Sequence, residues 1–158
     1  GERGESVFLE QWYEHLPPMA DSDVMGREYW QQMMAVRGVV NRKMEALRAA
    51  GELRGSLDAR VTLYAEGEVA QQLQALGDEL RFVLITSGAS VLPMAEAGAG
   101  ADETDIPGLQ IEIVAASEEK CERCWHRCED VGTFDAHPTL CGRCVENVYG
   151  EGEQRRFA

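Results

Sequence analysis

The chain has 158 residues, 44% of them hydrophobic, a formal net charge of −13 and five cysteines. That length suits one ordinary domain or two small units and excludes a large enzyme with separate substrate and cofactor domains. No run approaches the roughly 18 apolar residues that cross a bilayer, and the opening GERGES lacks an initiator Met, a basic n-region and an apolar h-region. The expectation is a cytosolic piece of something longer, with no targeting signal and no membrane partner.

The acidity argues at first against nucleic acid, because phosphate binding draws on clustered Lys and Arg. Its distribution weakens that objection. Residues 1–50 carry 6 bases and 8 acids, residues 51–116 carry 3 and 11, and residues 117–158 carry 6 and 9. The surplus sits in the middle and leaves both ends free to present local basic faces.

In chain order, residues 1–20 mix aromatic anchors with a Pro17-Pro18 stop and read as an extended connector. From about Val24 to Ala50 the apolar residues Tyr29, Met33, Val36, Val40, Met44 and Leu47 recur at steps of three and four. Ser22 or Asp23 offers an N-cap and Gly51 a C′ position, so residues 21–55 should hold one helix of roughly seven turns. Its other side carries Arg27, Arg37, Arg42, Lys43 and Arg48, which is either a solvated charged face or a phosphate-tracking one.

Residues 56–116 should form a small α+β unit. ARVTLYA alternates Val61, Leu63 and Ala65 against Arg60, Thr62 and Tyr64, as a half-buried strand does. EVAQQLQALGDEL places Val69, Leu73, Leu76 and Leu80 on one helix face. RFVLITS is a continuous apolar run of strand length, and LQIEIVA alternates again, giving the order strand, helix, strand, strand. The stretch AEAGAGADETDIPG between the last two is rich in Gly and acids and should be a mobile loop; its Gly98 and Gly100 do not have the context of a phosphate loop.

Residues 117–158 hold all five thiols within about 24 positions, which suits metal binding in a reducing compartment better than a disulfide framework. Cys121-Glu-Arg-Cys124 and Cys141-Gly-Arg-Cys144 are two CxxC pairs with sixteen residues between them, the spacing of a four-cysteine zinc site. Each pair can form a tight knuckle aimed at one metal, and four thiolates complete the tetrahedron of a closed, structural Zn²⁺. Cys128, His126 and His137 lie near enough to substitute for a thiolate, but two knuckles already satisfy the coordination number. The fold expected is therefore α+β: a long helix, a small mixed α/β unit and a C-terminal four-cysteine zinc-knuckle module.

Several stretches carry a resemblance. KCERCWHRCEDVG, HPTLCGRCVENV and GEGEQRRFA resemble, almost position by position, the C-terminal zinc-binding module of bacterial isoleucyl-tRNA synthetase. ESVFLEQWYEHLP, MAVRGVVNRKMEALR, SLDARVTLYA and LGDELRFVLITS look like the end of its anticodon-binding domain and the junction domain that follows, so the likeness covers nearly the full chain. Cys128 and the long Ala/Gly loop at 95–105 depart from the family pattern, and neither touches the four-cysteine pattern.

The resemblance implies a cytoplasmic, monomeric class I synthetase that activates isoleucine with ATP and Mg²⁺ and transfers it to its cognate tRNA. No catalytic residue of that reaction is expected here, because HIGH-like and KMSKS-like signatures are absent. ATP and Mg²⁺ would belong to an upstream part, and the zinc would be the one cofactor of this portion. The chain would be the RNA-facing end, holding the anticodon stem-loop by stacking and by basic side chains. By residue type the candidates are Arg123, Trp125, Arg127 and Arg143 in the knuckles and Arg155, Arg156 and Phe157 in the tail. For Trp125 a packing role beside the knuckles competes with base stacking. Two rival readings are the zinc-stabilised DNA-binding module of a repair glycosylase and a protein-interaction zinc ribbon.

Overall fold

The computed structural model describes residues 6, 8, 14–16 and 25–157. Most of the expected connector, and both expected capping residues, Ser22 and Asp23, lie outside them. Helix α1 spans Arg27–Ala49, with Gly26 at its N-cap rather than an Asx or hydroxyl residue. It begins three residues later than the periodicity suggested. The C-terminus is as expected: Gly51 takes φ 78, its N–H reaches Arg48 O at 3.1 Å and the Glu52 N–H reaches Leu47 O at 2.9 Å. Those two bonds are the pair that closes a helix through a left-handed C′ glycine.

The buried stripe of α1 is Tyr29, Met33, Val36, Val40 and Met44 together with Val39. It packs into the same core as a four-stranded mixed sheet. Strands β1 (Ala59–Ala65), β2 (Gly88–Pro93), β3 (Asp102–Glu103) and β4 (Leu109–Ala115) lie in the order β2-β1-β4-β3. Central β1 pairs in parallel with β2 and antiparallel with β4. Its Val61 and Leu63, with Ile111 and Ile113 of β4, present the expected alternation to the core.

One expectation fails. RFVLITS is not a strand: Leu80–Leu84 form a short helix, α3, stopped by Ile85 in the left-handed region at φ 58 and ψ 53. The strand is the next stretch, GASVLP. The spacing explains why. Helix α2 (Gly67–Ala75) buries Leu73, a 3₁₀ turn at Gly77–Glu79 follows, and Leu76, Leu80, Val83 and Leu84 continue the helical stripe across it. A short apolar run cannot by itself distinguish a buried strand from a buried helix turn, and the periodicity running into it from upstream decides the matter.

The Gly-rich acidic stretch is held at several points. It contains a 3₁₀ turn at Met94–Glu96 and the two residues of β3, which pair with β4. The Thr104 hydroxyl donates to Leu109 O at 2.7 Å. Asp102 pairs with Lys43 and Asp105 with Arg42 at 2.9 Å, which ties the stretch to α1. These contacts, with an Arg48–Glu45 pair at 2.7 Å, engage Arg42, Lys43 and Arg48 of the outer face of α1 within the chain.

Candidate metal centre

Beyond β4 the chain turns into a second, smaller cluster built from thiols. Residues 120–127 form a hairpin tip: the Cys121 N–H donates to His126 O at 2.9 Å and the Trp125 N–H to Cys121 O at 2.9 Å. Trp125 sits in the left-handed region at φ 67, which lets the chain reverse directly after Cys124. The second knuckle opens helix α4 (Gly142–Tyr149), with Cys141 at its N-cap. The Gly142 N–H is capped by Asp130 Oδ2 at 2.7 Å, so an acid between the knuckles fixes the second one.

The two knuckles converge. The sulfurs of Cys121, Cys124, Cys141 and Cys144 all lie within 4.8 Å of one another, and Cys124 Sγ is 3.7 Å from Cys141 Sγ. Thiolates at a Zn–S distance of about 2.3 Å around a tetrahedral ion stand about 3.8 Å apart, so the donor set has the chemistry and the spacing for zinc. Cys121, Cys141 and Cys144 are buried and Cys124 is partly so, which leaves little room for a water ligand.

Donors surround the sulfurs. The Cys141 N–H points at Cys121 Sγ at 3.4 Å and Arg123 Nη1 at Cys144 Sγ at 3.6 Å. Burial opposes ionisation of Cys121, yet hydrogen bonds from the backbone at Cys124, Cys141 and Arg123 bring its thiol down to about 6. Burial dominates at Cys141 and pushes it up.

The remaining candidates stand outside the four. Cys128 packs against the cluster; burial first, then the nearby Cys124 charge, raise its thiol and keep it neutral. His126 Nδ1 lies 3.2 Å from the backbone oxygen of Cys124, and its ring meets Phe82 edge-on at 5.8 Å. His137 stacks on Tyr149 with centroids 3.9 Å apart.

The module rests on the sheet. Arg127 donates from its backbone N–H to Ser87 Oγ at 2.7 Å, from Nε to Asp58 Oδ1 at 2.7 Å and from Nη1 to Glu118 O at 2.8 Å. Arg60 of β1 pairs with Glu118 at 2.6 Å and Glu129 at 3.4 Å. The segment between β4 and the first knuckle, residues 116–120, is therefore held at Glu118 by both arginines.

The RNA-binding candidates divide. Trp125 is 60% exposed with Lys120 Nζ 5.4 Å from its ring centroid. Arg127 is engaged as above. Arg143 and Arg155 share Glu153 Oε1, at 3.2 and 2.8 Å. The backbone N–H groups of Arg156 and Phe157 are received by the Glu79 carboxylate at 2.7 and 2.6 Å, which folds the tail onto the start of α3. Asp58, Ser87 and Glu79 were not singled out from the sequence, because the Arg127 and tail groups they bind are 40 to 78 residues away.

Comparison with known proteins agrees with this geometry. The family described as "Zinc finger found in FPG and IleRS" matches residues 118–147. Isoleucine–tRNA ligases of Shewanella putrefaciens and Pseudomonas aeruginosa are each 49% identical over 158 residues, and that of Pseudomonas fluorescens is 51% identical. Each alignment takes in 100% of this chain and 17% of the relative. No helix among the described residues is long and apolar enough to cross a membrane.

Proposed function

We propose that this chain is the RNA-facing end of an isoleucine–tRNA ligase, positioning the anticodon stem-loop so that the catalytic part of the protein can attach isoleucine to its tRNA. The observation that carries the reading is the similarity of the whole chain to isoleucine–tRNA ligases, at 49% identity with nothing left unmatched. The zinc finger alone would suit other nucleic-acid proteins or a docking ribbon equally well. ATP and Mg²⁺ chemistry belongs to the rest of such a ligase. The protein would act as a cytoplasmic monomer.

In this reading residues 21–55 end the helical anticodon-binding domain, 56–116 are the junction unit and 117–158 the zinc module with its tail. Cys121, Cys124, Cys141 and Cys144 hold one structural zinc, which fixes the shape of a contact surface and takes no part in chemistry. Trp125, at the exposed tip of the first knuckle, offers a flat face to an unstacked base. Arg123, Arg143, Arg155 and Arg156 supply cations for phosphate, and Phe157 a second aromatic face. Arg127 contributes through position, since two of its guanidinium nitrogens already serve the junction with the sheet.

The test is a titration of the zinc-loaded chain at moderate salt with tRNA carrying the isoleucine anticodon and with a non-cognate tRNA. Tighter binding of the first is expected. Equal binding of the two would overturn anticodon recognition by this chain.

A further inference from the structure

The three guanidinium groups of Arg81, Arg143 and Arg155 converge on one aromatic ring. Their Cζ atoms lie 4.8, 5.1 and 4.0 Å from the centroid of Phe82. They come from three separate parts of the chain: α3, the second cysteine knuckle and the tail. In a molecule of net charge −13 this gathers three cations in one place, with Asp78, Glu79 and Glu153 lining the cleft beside them. Like charges this close repel one another, and the fold offsets the repulsion only in part. Glu153 serves both Arg143 and Arg155, while Arg81 makes no ion pair among the described residues.

Arg81 also lies where two clefts meet. One, of about 460 Å³, runs between β2 and the zinc module and is lined by Arg81, Arg143, Arg127 and His126 among others. The second, of about 420 Å³, runs between α3 and the tail and is lined by Arg81, Phe82, Arg155 and Arg156. One donor atom in this region, Arg81 Nε, is buried with no hydrogen-bond partner. The acids of the first cleft are mostly committed: Asp130 caps Gly142 and Glu129 faces Arg60. Asp78, which lines both clefts, makes no ion pair among the described residues.

We propose that the groove over Phe82 is a phosphodiester-binding subsite, with Arg81 as the anchoring cation and Arg143 and Arg155 as its flanks. It rests on the reading of the chain as an RNA-binding end and adds to it a site apart from the knuckle tip that carries Trp125. The ring holds the guanidinium planes by cation–π contact, so their outer edges are fixed in advance for phosphate oxygens. A backbone phosphate seated there would touch the junction unit, the zinc module and the tail together. RNA binding would then draw the three parts onto one another.

The experiment is the salt dependence of binding of a fluorescent anticodon stem-loop RNA by the zinc-loaded chain and two variants, with zinc content measured for each. Arg81→Gln should weaken binding about 3- to 10-fold near 0.1 M salt and make the log–log salt slope shallower by about 1, with zinc retained. Asp78→Asn should tighten binding about 2- to 3-fold, because it removes the unpaired carboxylate from the groove. If the wild-type chain binds RNA and Arg81→Gln leaves the slope unchanged, the subsite is wrong and the RNA reading stands. If both variants weaken binding alike, the groove has only a structural role and the proposal falls. If the wild-type chain binds no RNA at any salt, the RNA reading falls and the subsite falls with it.

Discussion

Arg127 Nε donates to Asp58 Oδ1 at 2.7 Å, joining two residues 69 positions apart. The same Asp58 receives the Ala116 N–H on its backbone oxygen at 2.7 Å. One residue in the 3₁₀ turn before β1 thus grips both the exit from the sheet and the first knuckle of the zinc module. Asp58→Asn keeps the shape and removes the charge. Hydrogen bonds to charged groups contribute about 1.5–3 kcal/mol, and the pair is only about three-quarters buried, so the expected loss is about 1–2 kcal/mol. Urea unfolding checks the magnitude. Limited proteolysis checks the place: the variant should be cut at 115–120 faster than the wild type while retaining its zinc.

The metal assignment has a direct check in native mass spectrometry. One zinc per chain is expected, retained in Cys128→Ser and lost in Cys141→Ser. Loss in the Cys128 variant would reassign the ligand set. Removal of zinc by a chelator should unfold the module and spare the sheet, because the cluster is built around thiols and holds little apolar material beyond Val131 and Leu140. Apparent binding energies of about 10–16 kcal/mol for structural zinc at pH 7 make the metal the main source of order there.

Glu153 gives a pH signature with a definite sign. Burial opposes its ionisation, but hydrogen bonds from Arg155 and Asn147 and the charge of Arg143 lower it to about 2. A carboxyl whose folded value lies below its unfolded one stabilises the fold above the unfolded value, and that contribution is lost as pH falls toward the folded one. The stability difference between wild type and Glu153→Gln should therefore be full above pH of about 5 and vanish toward pH 2. Acid also releases zinc, so the comparison must be differential. Amide exchange in residues 150–157 is the suitable measurement, with faster exchange in the variant at neutral pH.

The parts of the fold that could be read from the sequence are those fixed by short-range pattern. Two CxxC pairs specify four sulfurs around one metal whatever surrounds them, and the buried stripe of α1 follows from its own spacing. RFVLITS misled because its apolar run of four, residues 82–85, is too short to carry a period of its own; Ile85 in the left-handed region marks where helix gives way to strand. The placement of the zinc module depends on Arg127, Asp58 and Ser87 meeting, and no local signal distinguishes such an arginine from one facing solvent. For the same reason Arg127 and Trp125 looked alike as RNA contacts, whereas the fold turns one inward and leaves the other at a tip.

Trp125 permits a sharp separation of packing from recognition. Its φ of 67 is the conformation the knuckle requires, and its side chain is 60% exposed. Trp125→Gly supplies that backbone conformation without strain and removes the ring. If the ring served mainly as packing, the variant should lose stability and metal. With the ring facing solvent, the expected result is one zinc per chain and unfolding within about 0.5 kcal/mol of wild type. Stacking on a base contributes about 1–3 kcal/mol, so affinity for the anticodon stem-loop should fall roughly 5- to 150-fold. Trp125→Phe, which restores a flat face at some cost to the backbone, should recover part of that affinity. Full affinity in Trp125→Gly would remove the knuckle tip from the RNA surface and leave the groove over Phe82 as the place where the chain meets phosphate.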